Sequence, residues 1–403
     1  MISIMKEWKK LKIEELCLKV TSGGTPLRKK TEYYTGNIPW IKTGELKGWY
    51  IYDTDEMITD DAIENSSAKL YPTDTILMAM YGDGRTIGSV GITGVEAASN
   101  QACCAMIPNK TKCDPYFLLF ALKNYSNELV NLALGGAQRN LNQRTIREFE
   151  INVPNIDVQQ RIGEQLSNFN QLIENNTRRI AILEEMARLI YREWFVHYRY
   201  PGNENDNLVD SGTELGEVPE GWGVKSLEDL CELIVGQSPK SEFYNGIGDG
   251  LPFHQGVKDF GNRFPTTTTW CTVQKRIAEK GDILFSVRAP VGRINIANCK
   301  MIIGRGLHAI RSKTGNQVFI FEQLKDKFQE EDSMGSGTIY KSVTKGDMLG
   351  LKFKYPGKNL IEQFEEKAEP IFDQIRILTE KNIYLKETRD LLLPKLISGM
   401  VGV

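Results

Sequence analysis

Two stretches of the chain carry a hydrophobic stripe of the same kind. In the first, positions recur at alternating steps of four and three: Ile162, Leu166, Phe169, Ile173, Asn176, Ile180, Leu183, Ala187, Ile190 and Trp194. The second series is Phe364, Ala368, Ile371, Ile375, Leu378, Asn382, Leu385, Arg389, Leu392 and Leu396. Each member stands 202 positions after its counterpart, from Phe364 after Ile162 to Leu396 after Trp194. Four to five heptads of this spacing predict a coiled coil. A buried core helix would need a wider apolar face. Each helix would run about 40 residues, roughly 60 Å at about 1.5 Å per residue. A two-fold axis midway along the stripe sets the helices antiparallel and puts Asn176 opposite Asn382. One such polar layer lowers stability but fixes register. Pro370 falls inside the second stripe, so that helix is expected to bend there or to begin nearby.

Upstream of each stripe the period changes. Apolar runs such as Thr75–Met80 and Arg293–Ala297, bounded by Gly, Pro, Asn and Asp, read as short strands. One helix per copy interrupts them, around Pro115–Asn124 and Val318–Phe328. These strand-rich parts repeat in order. Trp8-Lys-Lys-Leu-Lys-Ile-Glu-Glu-Leu-Cys17 returns as Trp222-Gly-Val-Lys-Ser-Leu-Glu-Asp-Leu-Cys231, and Ser22-Gly-Gly-Thr-Pro26 as Gly236-Gln-Ser-Pro239. Ile38-Pro-Trp40 matches Leu251-Pro-Phe253, Asn100-Gln-Ala102 matches Gly304-Arg-Gly306, and Gly135–Leu141 matches Gly337–Val343. A period this long means two copies of one domain, each with its helix, and not a solenoid. Residues 199–212 between the copies are polar and rich in turn formers, which predicts an exposed linker. The expected fold is therefore α+β: two globular, mainly β domains separated by two long helices forming an antiparallel coiled coil, with an internal pseudo-two-fold repeat. The expected boundaries are 1–154, 155–198 for the first helix, 199–218 for the linker, 219–356, and 357–403 for the second helix.

Composition narrows the function. With 403 residues, 41% hydrophobic and 25% charged, the chain is an ordinary globular protein of two or three domains. Lys+Arg is 50 against Asp+Glu 52, so no long-range cationic field exists and any polyanion must be held by local patches. No apolar run reaches the roughly 20 residues of a membrane span, and Met1–Lys12 lacks a signal-peptide core. A cytoplasmic protein without membrane contact is expected. Seven cysteines without CxxC spacing, and three distant histidines (His197, His254, His308), argue against a disulfide scaffold or a metal site. The sequence has no GxxxxGK[ST] loop, no Asn/Asp-Pro-Pro-aromatic tetrapeptide, no HExxH and no triad-like motif. Glu45-Leu-Lys47 has the ExK spacing of some nucleases without an acidic partner, and Gly246–Gly250 reads as a surface turn. The chain looks like a binder with no catalytic residues and no cofactor of its own.

Two similar domains held apart by a stiff helical pair make a bipartite reader of fixed spacing. DNA suits it, because half-sites recur on one face about every 34 Å. Candidate contacts are Lys42, Thr43, Arg85, Arg139, Asn140, Asn142 and Gln143 in the first copy. In the second they are Gln255, Lys258, Arg288, Arg293, Tyr340 and Lys341. Arg and Lys read guanine, Asn and Gln read adenine, and the cations also neutralise phosphate. Corresponding positions differ, as Arg139 against Lys341 shows, so the target should be asymmetric.

The chain resembles, over essentially its whole length, the specificity (S) subunit of type I restriction-modification systems. The resemblance rests on Leu183–Val196 with Leu215-Gly-Glu-Val-Pro-Glu-Gly-Trp222, on Tyr384–Gly399, and on Gly281-Asp-Ile-Leu-Phe-Ser286 with Gly337–Val343. The first copy departs from the pattern at Thr73-Asp-Thr75, where the second has Gly281-Asp282. The resemblance implies two target-recognition domains, each reading half of a split DNA target, and helices that set the spacer. It implies two methyltransferase (M) subunits as partners, which bind S-adenosylmethionine, and restriction (R) subunits that translocate and cleave DNA. It also implies that the Trp194-Phe195 and Leu393-Pro394 neighbourhoods dock the M subunits.

Overall fold

The computed structural model describes residues 8–82, 86–132, 140–203, 207–328 and 343–402. They fall into two compact units, one of Met1–Arg178 with Thr379–Val403, the other of Arg179–Leu378. In the first unit Cys17–Ser22, Cys103–Pro108, Ile76–Ala79, Val90–Thr93 and Tyr50–Ile51 bond in that order into a five-stranded sheet. Ile38–Ile41 pairs antiparallel with Met57–Ile58 and parallel with Ala98–Ser99. Lys9–Lys12 pairs with Glu150–Val153, joining the domain's beginning to its end. In the second unit Cys231–Val235, Leu307–Ser312, Ile283–Ser286 and Ile294–Ile296 form a four-stranded sheet. Leu251–His254 lies parallel to Met301–Ile303, and Gly223–Ser226 closes on Lys352–Tyr355.

The duplication extends to individual bonds. Trp40 and Ile41 face Ala98 and Ser99 as Phe253 and His254 face Ile302 and Ile303. The departure at Thr73-Asp-Thr75 leaves the strand start unchanged. Asp74 takes the left-handed conformation (φ 63°) that Gly281 takes (φ 92°), and each donates its N–H across to the neighbouring strand, to Thr93 and Ala297. Asp is one of the few side chains that tolerates this region.

The stripes form helices, Ile156–Tyr191 and Lys358–Ile397, and no stripe position is exposed. In the first unit Ile162 and Leu166 share a core with Leu393, Leu396 and Ile397, so the start of one helix meets the end of the other. In the second unit Tyr191, Trp194 and Phe195 share a core with Ile361, Phe364 and Ala368 in the same antiparallel sense. The amides of the first unit meet: Asn176 Nδ2 donates to Asn382 Oδ1 at 2.9 Å. A second polar layer, not foreseen, joins Arg389 to the buried Asn170. The second helix neither begins at Pro370 nor stops there. Pro370 is exposed, as is Glu366 one turn earlier, so the carbonyl that loses its donor lies on the watered side. The first helix ends in a π-turn, Arg192–Val196, a one-residue insertion of the kind a hydrophobic period does not reveal. Leu208–Asp210, within the expected linker, pairs as a hairpin with Glu217–Pro219, which runs one residue past its end.

The two domains cap their helices differently. Asp114 caps Pro115–Asn124 locally, accepting the Phe117 N–H at 2.9 Å. Asn316 gives Gln317–Lys327 no such cap. There the long helix supplies it: Glu365 accepts the N–H groups of Val318 at 2.8 Å and Phe319 at 3.1 Å. Its repeat counterpart is Gly163, where a Cβ would lie 2.5 Å from Asp114 Oδ1.

Candidate nucleic-acid interface

Several loops of each domain converge through backbone bonds that match between the copies. Gly23 N–H donates to Cys103 O and Gly24 N–H to Ser99 O; Gly236 and Gln237 donate to Leu307 and Ile303 in the same way. Asn100 bonds back to Ile41 and Gly304 to His254, while Met80 bonds to Ala102 and Val287 to Gly306. Leu141 then bonds to Met80 as Val343 bonds to Val287. Even a side chain repeats: the Tyr34 hydroxyl donates to Pro26 O at 2.7 Å, and the Tyr244 hydroxyl to Pro239 O at 2.7 Å. Glycine is required at the turn, since a Cβ on Gly23 or Gly236 would sit 2.2 or 2.1 Å from a backbone oxygen.

On this scaffold the sequence candidates sort into groups. Arg85, Arg139, Tyr340 and Lys341 lie outside the described residues. Asn140, Gln255, Lys258, Arg288 and Arg293 are exposed on or beside the converging loops. Ser286 Oγ fixes the loop that carries two of them, donating to Pro290 O at 2.7 Å and accepting the Arg293 N–H at 2.9 Å. Asn142 and Gln143 have structural work. Asn142 caps Gln143–Glu148 by accepting the Thr145 N–H at 2.8 Å, and Gln143 Nε2 donates to Val20 O at 2.8 Å. Thr344 repeats the first of these roles, capping Lys345–Leu349.

Lys42 and Thr43 stand at the equivalent of Gln255 and Gly256, and Thr43 is half-buried. Lys42 Nζ lies 3.0 Å from Glu56 Oε1, and Arg28 pairs with the same carboxylate while stacking over Tyr34 and Trp40. Hydrogen bonds from Arg28 foremost, and from Lys42, hold the Glu56 carboxyl below its ordinary range. Glu45, of the ExK triplet, accepts the N–H groups of Lys42 and Asp55, so it braces a loop.

Two exposed side chains at the loop crest were not among the candidates. Gln101 and Arg305 occupy one equivalent position, beside Thr25 and Ser238 respectively. The signal was present in the aligned triplets Asn100-Gln-Ala102 and Gly304-Arg-Gly306, each a long polar side chain ahead of a small residue.

The two neighbourhoods implied for partner docking turn three of their four named side chains inward. Trp194, Phe195 and Leu393 are 8%, 5% and 7% exposed, each committed to the core of its own unit: Trp194 and Phe195 through ring contacts with Phe364 and Phe319, Leu393 beside Leu166 and Leu396. Pro394 alone of the four is exposed. Among the described residues no cluster of His, Cys, Asp and Glu could hold a metal ion, and no helix is long and apolar enough to cross a membrane.

A sequence profile of the type I restriction modification DNA specificity domain matches the chain twice, at residues 5–185 and 219–386. The MjaIX type I restriction enzyme specificity subunit of Methanocaldococcus jannaschii is 29% identical, over 99% of this chain and 95% of its own. The MjaVIII specificity subunit of the same organism is 21% identical over 92% of this chain and 91% of its own. The crystal structure of a type I S subunit from M. genitalium superposes with a TM-score of 0.65 at 18% identity, covering 96% of each chain. That likeness is one of fold.

Proposed function

The chain belongs to the type I restriction-modification DNA specificity family, and from that premise we propose that it is the DNA-reading subunit of such a complex. Each recognition domain reads one half of a split, asymmetric target, and the long helices set the spacer. The observation that carries this reading is a pair of loop clusters with the same backbone bonds and different exposed side chains. A shared scaffold with divergent tips is what a reader of two unlike half-sites requires. Exposed candidates (Asn140, Gln255, Lys258, Arg288, Arg293) are the contacts this reading favours, with Lys42 held ready by Glu56.

Catalysis is assigned to partners: two methyltransferase subunits carrying S-adenosylmethionine, and restriction subunits. The helices offer them a repeated apolar face. Ile182, Met186 and Leu189 are 61%, 46% and 47% exposed at helical spacing; the counterparts of the outer two, Tyr384 and Leu391, are 67% and 66% exposed, with Thr388 standing for Met186 between them. Two like faces suit two like partners. Affinity purification of the tagged chain from its native cell, with masses of the co-purified proteins, tests this directly. An adenine methyltransferase at two copies per chain is expected; a chain recovered alone that ignores DNA contradicts it. With net charge −2, the isolated chain should bind DNA weakly and with steep salt dependence, and tightly with methyltransferase present. Equal affinity in both forms contradicts that division of labour.

A further inference from the structure

The matched loop bonds make it possible to ask which residue of one domain stands where a given residue of the other stands. Between the bond at Asn100 or Gly304 and the bond at Ala102 or Gly306 lies a single residue in each copy, Gln101 and Arg305. Both are exposed. Resting on the DNA-reading role proposed above, we infer that Gln101 and Arg305 are equivalent base-reading residues, selecting adenine in one half-site and guanine in the other.

The surroundings of each fit this assignment. The Thr25 hydroxyl donates to Gln101 Oε1, which orients the amide while leaving its NH2 group and the second lone pair of Oε1 for an outside partner. An amide held this way presents one donor and one acceptor side by side, the complement of adenine N7 and N6 in the major groove. The Arg305 backbone is pinned by Ser238 Oγ at 3.2 Å, and its neighbours press against Gln255: Cβ atoms on Gly304 or Gly306 would approach Gln255 to 2.9 and 2.3 Å. Its guanidinium makes no hydrogen bond or ion pair among the described residues, so the fork is free to meet guanine O6 and N7. Lys42 offers a contrast, since its charge is shared with Glu56.

The test uses the full chain with its co-purified methyltransferase subunits, selecting from a pool of randomised double-stranded DNA. Wild type should enrich two blocks. Gln101→Arg should change one adenine of one block to guanine and leave the other block alone. Arg305→Gln should change one guanine of the other block to adenine. Gln101→Ala and Arg305→Ala should each relax one base by roughly ten- to a hundredfold. Blocks unchanged in every variant would overturn the assignment. So would an Arg305→Ala variant that lowers the salt slope of binding by about one without relaxing any base, because that marks a phosphate contact. A wild-type complex that enriches no block overturns the DNA-reading role itself, and this assignment with it.

Discussion

The crest loops of the two recognition domains reach similar backbone positions by different means. Around Gln101 the loop closes on itself: Asn100 Oδ1 accepts the Ala102 N–H at 3.1 Å and Thr25 holds the Gln101 amide. Around Arg305 the Ser238 Oγ accepts the backbone N–H at 3.2 Å without holding the guanidinium, and the loop lies on its neighbour, with Gly306 N–H donating to Gln255 O at 3.1 Å. Side-chain bonds hold both the backbone and the exposed amide of the first crest, while at the second a serine holds the backbone and the absence of Cβ atoms at Gly304 and Gly306 permits the close approach to Gln255. The helix caps show the same exchange, a local Asp114 in one unit and the long-helix Glu365 in the other. Since each local device has a substitute, the shared backbone constrains the fold while the exposed residues remain free to differ.

Substitutions that copy one domain into the other probe this contrast. The largest effect is expected for Gly306→Ala. A Cβ there would lie 2.3 Å from the Gln255 carbonyl, so the loop must move, at a cost of about 3 kcal/mol in denaturant unfolding. Its counterpart Ala102→Gly should cost only about 1 kcal/mol. Equal costs would mean that the two crests are not braced differently.

Next come the asparagines. The repeat counterparts of Asn176 and Asn382 are Leu378 and Ile180, an apolar pair of positions in the second unit. Asn176→Leu or Asn382→Ile alone strands a buried amide and should destabilise by about 2 kcal/mol. The double variant should be as stable as wild type or more so. Additive losses in a double-mutant cycle would show that the amides do not act as a pair.

A smaller effect concerns pH. Burial pushes Glu365 and Glu322 up to about 7 from the ordinary 4.5. For Glu365 the neighbouring Glu369 adds to this and the capped amides oppose it. Lys325, Arg263 and Arg188 oppose it around Glu322, while Glu184 adds to it. The folded state then binds protons that the unfolded chain has released, so the stability these groups contribute declines as pH rises from about 4.5 through about 7. Glu365→Gln and Glu322→Gln should each flatten that decline; unchanged pH profiles would contradict it. Glu365→Ala should in addition cost about 1 kcal/mol through the lost cap.

The smallest effect is expected at Lys42. Its pair with Glu56 is partly exposed, so Lys42→Ala should change stability by less than about 1 kcal/mol. A larger loss would make Lys42 a structural post, not a reserve contact.

The sequence made the long elements and the repeat legible because both are periodic. A step of 202 residues located every stripe position and paired Asn176 with Asn382, since antiparallel register follows from the repeat. Short strands were legible through Gly and Pro punctuation. What stayed hidden depended on contacts between distant residues. Nothing local says that Gln143 is a strut to Val20, or that Trp194 and Phe195 turn into their own core. Gln101 and Arg305 were overlooked for the opposite reason. Their motifs were aligned, but only the bonds on either side show that both stand at the crest.

The central claim is that two domains read two unlike half-sites. Selection from randomised duplex DNA by the full chain with its methyltransferase subunits tests it most directly. Two short blocks of different sequence, separated by a spacer of constant length and free composition, are the predicted result. A single block, two identical blocks, or a spacer of variable length would contradict it.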